Sequence, residues 1–542
     1  MLWCTGMVIP IALFLVALGA RIVTGALFLD PAYPDSFYYV NVAHSLAAGH
    51  GFQVDFIWNF VETGGRLPLT GVLPIPSNAH WMPLASLVQV PFIWLLGPVP
   101  LASALPFWLA SAATAPVTYW IGRDAMLPRW QAAAAGLMVA LPALVDPFLA
   151  QPDNFGLFML LGTLSLWACA RGLRGDRRSF ALGGVLVGLA FLSRNDGVLL
   201  GVPFALAFLA DLLRRPRASR IGWTAALLCA GGFLLVASPW ILRQLEVFGS
   251  ISPSAASGRI LWITQYRDLY SVSTEATPAS FLAQGLVPML TSRVLGLVNA
   301  LGLFATQVLL IFLVPVLVLG VWWQRHGLAW RPWMIYAATL FLSSGLLFAV
   351  HVPNGTFLHS AVALIPYAYL LTLLGIGGVV AAVARRRPSW DPVRATRVFT
   401  VMAVSVVVVM GVVSTVMTAR SWRDYQDVTL AAAEPLANAA PDERVMSPDA
   451  GGFRYLTGHP GIVTPEDPLP VVEDALRRYG VRWLVLEHDY STLALAPVLA
   501  GEVRPDWLSA PLTVVPDPHD PSHPKAALYA VCLSPDDDRC TP

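Results

Sequence analysis

Apolar runs long enough to cross a bilayer alternate with short polar stretches as far as position 419, and beyond it the pattern stops. The first run, Pro10 to Leu29, matches the ~20 residues that a helix needs to traverse a hydrocarbon core. Ten more fall near 100–122, 131–149, 155–170, 180–193, 197–212, 221–242, 300–323, 333–350, 357–384 and 397–419. The arginines cluster between particular runs: Arg123 with Arg129; Arg171, Arg174, Arg177 and Arg178; Arg214, Arg215, Arg217 and Arg220; Arg325 with Arg331; and Arg385, Arg386, Arg387, Arg394 and Arg397. Short cytoplasmic loops retain Lys and Arg, so these clusters belong inside. The spans then make eleven crossings, with the N-terminus inside and both the first long loop, 30–99, and everything after 419 outside.

Two stretches test that count. Trp81 to Leu96 is apolar, but counting it as a span would turn the next three arginine clusters outward, so it is expected as a short helix in the interface. The runs flanking Ser193 to Asp196 are short for a ~30 Å core, so their shared turn should dip below the outer surface. The mixed segment from Gln244 to Asn299 is expected to cap the outer side, and a short outer loop, His351 to Phe357, leads into His359.

After Arg420 charges and prolines rise. Strand-like runs (444–447, 461–464, 483–487, 512–515, 526–531) alternate with helical ones (474–479, 493–499), which predicts a small α/β domain over 420–542 beside a membrane domain over 1–419.

Composition agrees. Hydrophobic residues make up 56% and charged residues 12% of 542, and mean hydropathy is +0.63, as for a polytopic membrane protein. The balance of 34 basic and 33 acidic residues gives no footprint for nucleic acid. Lys525 is the only lysine, and with abundant Ala, Gly and Pro this suggests GC-rich coding and a bacterial plasma membrane. The first run lacks a basic leader and a small-residue cleavage site, so it is expected to stay as an anchor. Among the five cysteines no metal spacing appears; Cys532 and Cys540 either pair, if that end is extracytoplasmic, or remain free.

The chemistry concentrates in Asp30 to Phe52, DPAYPDSFYYVNVAHSLAAGHGF, directly after the first span. Pro34 opens a helical pattern that Gly49 and Gly51 end, and Asp35 falls in its first turn, where the macrodipole favours an ionised carboxylate. Asp35, Tyr38, Tyr39, Ala43, Leu46 and Gly49-His50-Gly51-Phe52 resemble the first outer motif of GT-C membrane glycosyltransferases of the protein O-mannosyltransferase and aminoarabinose transferase type. The resemblance implies a GT-C fold of about eleven spans with an extracytoplasmic α/β domain. It also implies transfer of a hexose or pentose from a polyprenyl-phosphate carrier to an acceptor on the outer face, in the cell envelope. The loop aspartate would be the catalytic base; Asp30 and Asp35 both qualify, with Asp35 favoured, and Tyr38 and Tyr39 would face the substrate.

Such a transfer needs a carboxylate within hydrogen-bond reach of the acceptor and positive charge on the leaving phosphate. Asp153, in Gln151-Pro152-Asp153-Asn154, supplies a second outer acid, and an aspartate there also caps the next helix. Gly188 to Arg194 resembles the family's G-L-A-x-L-T-R motif. An intramembrane Arg and Asp pair is costly unless used, so Arg194 is expected on the donor phosphate with Asp196 orienting it. Arg243, in a Pro-Trp-x-x-Arg pattern before Phe248-Gly249, is a further phosphate candidate, as are Arg21 and Arg293. His80, ahead of Pro83-Leu84, and His359 face the same side and suit phosphate or metal. Asp35, Asp153 and the two histidines offer donors for a divalent cation, as in some GT-C enzymes, although spacing alone defines no site. Ser447-Pro448-Asp449 and Glu487-His488-Asp489 end predicted strands, where acceptor recognition or scaffolding is expected. A transporter or flippase of a lipid-linked or amphipathic solute is the alternative; it would place polar groups near midplane, in related halves. Neither the sugar nor the acceptor (protein, lipid or polysaccharide) follows from the sequence.

Overall fold

The computed structural model describes residues 2–60, 63, 71–213, 220–250, 257–347, 356–387, 389–517, 520 and 523–533. Its membrane part is a bundle of α1 (Leu2–Leu27), the shorter α2 (Pro34–Ala47), α3 (Pro100–Asp124), α4 (Arg129–Ala140), α5 (Asn154–Leu173), α6 (Arg177–Ser193), α7 (Gly201–Leu212), α8 (Gly222–Phe248), α9 (Leu286–Leu303), α10 (Arg331–Leu346), α11 (Ile365–Ala384) and α12 (Pro392–Ala433). The helices are turned as lipid demands. On α12, Thr400, Ala403, Val407, Gly411, Thr415 and Ala419 recur every three or four residues and face the bundle, while Val401, Val409 and Val412 lie outside.

Eight described helices are long and apolar enough to cross, or nine if one bent pair is a single span. Of the eleven expected spans, 180–193 and 333–350 appear as α6 and α10, only 17 and 16 residues long. The span expected over 131–149 is broken: α4 stops at Ala140, and Ala143–Ala150 continues as a 3-10 helix bent by 60°, with Pro142 and Pro147 unable to donate to a continuous ladder. The span expected over 300–323 is corrected too. It begins earlier, at Leu286, and breaks at Leu310 and Ile311, both at positive φ, before Pro315 opens Val314–Gln324 in the first turn, where its missing N–H costs nothing. The stretch expected in the interface forms two short helices, Leu84–Leu87 and Val90–Leu96, with Trp94 and Leu95 exposed.

α12 has 42 residues, about 63 Å at 1.5 Å each, roughly twice a hydrocarbon core. It therefore runs through position 419 and ends against the sheet of the C-terminal domain, where Ala432 and Ala433 meet Val445, Val485, Ala526 and Leu528. That sheet holds β1 (Phe56–Ile57), β2 (Arg444–Ser447), β3 (Gly461–Val463), β4 (Val481–Glu487), β5 (Leu508–Pro516) and β6 (Pro524–Val531) in the order β1-β3-β2-β4-β6-β5. β1, β3, β2 and β4 are parallel; β6 is antiparallel to its neighbours β4 and β5. α13 (Ala450–Thr457) follows β2, and α14 (Leu469–Tyr479) packs Val472, Ala475 and Leu476 on the second face. Because β1 comes from the first outer loop, that loop and the C-terminal domain share one sheet.

Cys532 is disulfide-bonded, and Cys540 lies outside the described residues, as do residues 351–355 of the short outer loop.

Candidate active site

Tyr33, Pro34 and Asp35 open α2. Ser36 Oγ accepts from the backbone N–H groups of Ala32 and Tyr33 at 3.0 and 3.1 Å, which fixes the entry of the chain, and Gly49 at φ +82° takes it out where a side chain would be strained. Asp35 is thus held at the first turn of a helix whose other face is sealed by Tyr38, Tyr39, Trp58 and Trp81.

Three side chains from distant parts of the sequence converge here. His359 Nε2 lies 2.9 Å from Asp153 Oδ2 and 3.4 Å from Asp35 Oδ2. The imidazole stacks on Phe155 with centroids 3.8 Å apart. Asp153 is fully buried, accepts from the Asn154 N–H as the cap of α5, as its place before the helix predicts, and accepts from the Tyr33 hydroxyl at 2.9 Å. Asp35 is the open member, 27% exposed. Burial pushes its carboxyl well above the usual range; His359 and Arg194 oppose that push and Asp153 adds to it. One ligand atom from each of Asp35, Asp153 and His359 lies within 4.8 Å of the others, a mixed carboxylate and imidazole set that suits a divalent cation such as Mn²⁺ or Zn²⁺.

Arg194 stands beside this cluster in the turn between α6 and the 3-10 helix Asn195–Leu200. Its Nε donates to Asp196 at 3.0 Å and to Ser360 Oγ at 2.9 Å, and its Nη2 donates to the Thr356 carbonyl at 3.0 Å. The Ser360 hydroxyl donates to Asp196 in turn. The tight turn requires Gly197, where a Cβ would sit 2.4 Å from the Ala190 carbonyl oxygen. His80 lies on the other side, its ring against the edges of the Trp58–Trp81 pair and its carbonyl accepting from Asn195 at 2.9 Å. Burial, with Arg194 adding to it, lowers its pKa to about 4, so it is neutral; Nδ1 is buried with no hydrogen-bond partner.

The remaining candidates stand apart. Asp30 accepts from Tyr455 at 3.2 Å and Gln426 at 3.4 Å, on the side of the C-terminal domain. Tyr38 and Tyr39 are buried: the first accepts from the Asn78 N–H at 2.7 Å and the second from Asn154 at 3.0 Å, so both hydroxyls are engaged within the fold. Arg243 lies over Trp240, Phe52 and Phe248 and donates to the Ser77 carbonyl at 2.9 Å; Arg293 lies over Phe281. Arg21 is locked on Asp146 inside the bundle. Two contributors escaped the sequence reading, Tyr33 and Ser360, although each adjoins a residue that did not: Tyr33 lies in the run between Asp30 and Asp35, and Ser360 follows His359.

The segment expected as a cap docks on the C-terminal domain. Asp467 accepts from Ser271 Oγ at 2.9 Å and from the N–H groups of Val272 and Ser273 at 2.7 and 3.1 Å, and the Glu466 N–H donates to the Tyr270 carbonyl.

A family model described as dolichyl-phosphate-mannose-protein mannosyltransferase matches residues 80–242, less than a third of the chain. No curated protein matches the sequence. Among solved structures, ArnT from Cupriavidus metallidurans in the apo state is 15% identical with a TM-score of 0.55, over 97% of this chain and 98% of that one. The same protein bound to undecaprenyl phosphate gives 14% and 0.53 over the same shares. The Archaeoglobus fulgidus oligosaccharyltransferase in the apo form gives 11% and 0.46, over 89% and 69%. The chain has the GT-C fold, a helical membrane domain carrying a small C-terminal sheet.

Proposed function

We propose, for a chain with this fold, that it transfers a sugar from a polyprenyl-phosphate donor to an acceptor on the outer face of the membrane, with inversion at the anomeric carbon. The observation that carries the reading is the convergence of Asp35, Asp153 and His359 near Arg194, at the first turns of their helices and not in mid-helix as a transporter would have them. ArnT, whose structure holds undecaprenyl phosphate, supplies the model for the donor class.

In this mechanism Asp35, the exposed carboxylate, takes the proton of the acceptor hydroxyl as it attacks the sugar. Asp153 holds the His359 imidazole and the Tyr33 hydroxyl in place behind it. Arg194, oriented by Asp196 and Ser360, meets the phosphate as the C–O bond to the sugar breaks, a charge-assisted contact that strengthens as the negative charge develops. A divalent cation held by Asp35, Asp153 and His359 would supply further positive charge for that leaving group.

The test is transfer of radiolabelled sugar from a panel of polyprenyl-phosphate donors in proteoliposomes, wild type against Asp35→Asn at matched expression. Transfer by wild type and its loss in the variant support the reading; equal transfer by both removes Asp35 as base. Labelled lipid that crosses the bilayer without transfer moves the protein to the transporter class.

A further inference from the structure

The carboxyl edge of the C-terminal sheet abuts the helix that begins with Asp35. β2 ends in Ser447, Asp449 caps α13, and α13 packs on α2, where Asn41 donates to the Gly451 carbonyl at 2.9 Å and Phe37 meets Tyr455 with centroids 5.6 Å apart. Ligands of parallel sheets collect outside this edge. Glu487 ends β4 on the same side, 5% exposed and accepting from Thr429 at 3.2 Å.

The polar groups on this edge are incompletely satisfied. Asp449 Oδ1 accepts from the Gly452 N–H at 2.9 Å, while Oδ2 is buried with no hydrogen-bond partner. Ser447 is 1% exposed, and its Oγ has none either. Strand alternation puts Ser447 on the face of Val445, with Val485 and Glu487 on that face of β4, so hydroxyl and carboxylate look the same way. Asp449 raises the proton affinity of both Asp35 and Glu487, so its charge is felt at each, and among the described residues no cation pairs with Asp449 or Glu487. Tyrosines stand near the row: Tyr266 and Tyr270, hydroxyls 3.0 Å apart, and Tyr425 against Tyr490 at 5.8 Å, all within the field of Asp449, whereas Tyr455 is bonded to Asp30.

We infer that this edge, Asp449 and Glu487 with Ser447 and the flanking tyrosines, is the acceptor subsite, and that the acceptor is a glycan entering through uncharged hydroxyls. Carboxylate oxygens accept from neighbouring sugar hydroxyls, and tyrosine rings offer an apolar face to the C–H side of a pyranose with a polar tip beside it. An acceptor arriving through phosphate or carboxylate would instead meet a row of like charges without a counter-cation. The role as acceptor rests on the transfer reading above; the binding itself does not require it.

The experiment uses the full chain in lipid nanodiscs without donor. Binding of mannotriose and chitotriose is followed by saturation-transfer NMR, beside mannose 6-phosphate and a Ser/Thr-rich peptide, in wild type, Asp449→Asn and Glu487→Gln. Both substitutions keep the shape and the cap while removing charge, and thermal melting checks the fold of each. The expected result is millimolar or tighter binding of at least one neutral trisaccharide, weakened about tenfold or more in each variant, with no competition from the phosphosugar or the peptide. Failure of both trisaccharides to bind, unchanged affinity in a folded variant, or stronger binding of phosphosugar or peptide overturns the inference. Failure of the transfer reading shows separately, as the absence of Asp35-dependent transfer in proteoliposomes, and leaves the trisaccharide titration readable.

Discussion

Arg21 donates to Asp146 across 2.7 Å inside the membrane bundle, with 1% and 2% of the two side chains exposed. Its guanidinium also reaches the Asp146 and Ala140 carbonyls, and Thr415 on α12 donates to the other carboxylate oxygen at 2.8 Å. The pair thereby ties α1 to the broken region after α4 and to the long helix that carries the C-terminal domain. This explains why an arginine nine residues before Asp30 does not join Asp35, Asp153 and His359.

Removing one partner leaves a buried charge alone. Arg21→Met or Asp146→Leu should each cost about 3–5 kcal/mol, and the double substitution should recover most of that, because an apolar pair avoids desolvation altogether. Thermal melting of the purified protein in detergent checks the ordering. A double variant no more stable than the singles would mean that Thr415 and the carbonyl contacts, not the charges, hold the joint.

The two site aspartates should fail differently. Asp35→Asn removes the proposed base and should lower kcat by about 10²–10⁴ with little effect on folding. Asp153→Asn keeps the cap on α5 but weakens the hold on His359, and should lower kcat less while reducing any response to added divalent cation. Both are read from initial rates with and without chelator, and Mn²⁺ should restore activity to chelated wild type but not to His359→Ala.

How far the chain could be read follows from what each signal encodes. Asp35 was legible because proline, carboxylate and two glycines bracket one helix, and Asp153 because an aspartate before an apolar run marks a helix start. The strand cores near 444–447 and 461–464 stood out by apolar content between turns, close to their observed ends. The pairing of Phe56–Ile57 with Gly461–Ile462 was not legible: two residues carry no periodicity, and their partner is about 400 positions away. The break at Leu310 and Ile311 was hidden for the opposite reason, since a kink between apolar residues leaves the hydropathy unchanged. Tyr33 and Ser360 carry no motif of their own; only the fold makes them neighbours of Asp153 and Arg194.

Asp467 should govern the outer segment. It accepts four bonds from residues 271–273, from the Ser271 and Ser273 hydroxyls and from the Val272 and Ser273 N–H groups. Asp467→Ala leaves two backbone N–H groups and two hydroxyls without their acceptor, a loss of about 1–3 kcal/mol in local docking. Limited proteolysis should then cut within 257–285 faster than in wild type, and the KM for acceptor should rise more than kcat falls. Unchanged cleavage would show that the apolar contacts of Ile263 and Leu269 suffice to hold the segment.

The carboxylates of the sheet edge make stability depend on pH in a stated direction. Burial, with Asp449 nearby, pushes Glu487 from 4.5 up to about 7, and burial pushes Asp449 from 3.8 up to about 6. A carboxyl whose pKa is higher in the folded state binds more protons there than in the unfolded chain. Its contribution is therefore most favourable below the unfolded value and is lost as pH rises through the folded one, here between about pH 4 and 7. Glu487→Gln removes the titration, so the variant should be more stable than wild type at pH 8, by roughly 1–3 kcal/mol, and the gap should shrink toward pH 5. Melting curves of both proteins across that range decide it. A gap that stays constant with pH would assign the effect to the lost Thr429 contact rather than to charge. A gap that widens toward pH 8 would mean that the protein retains, at a cost to its fold, a buried carboxylate that an amide could replace, as expected of a group kept for function.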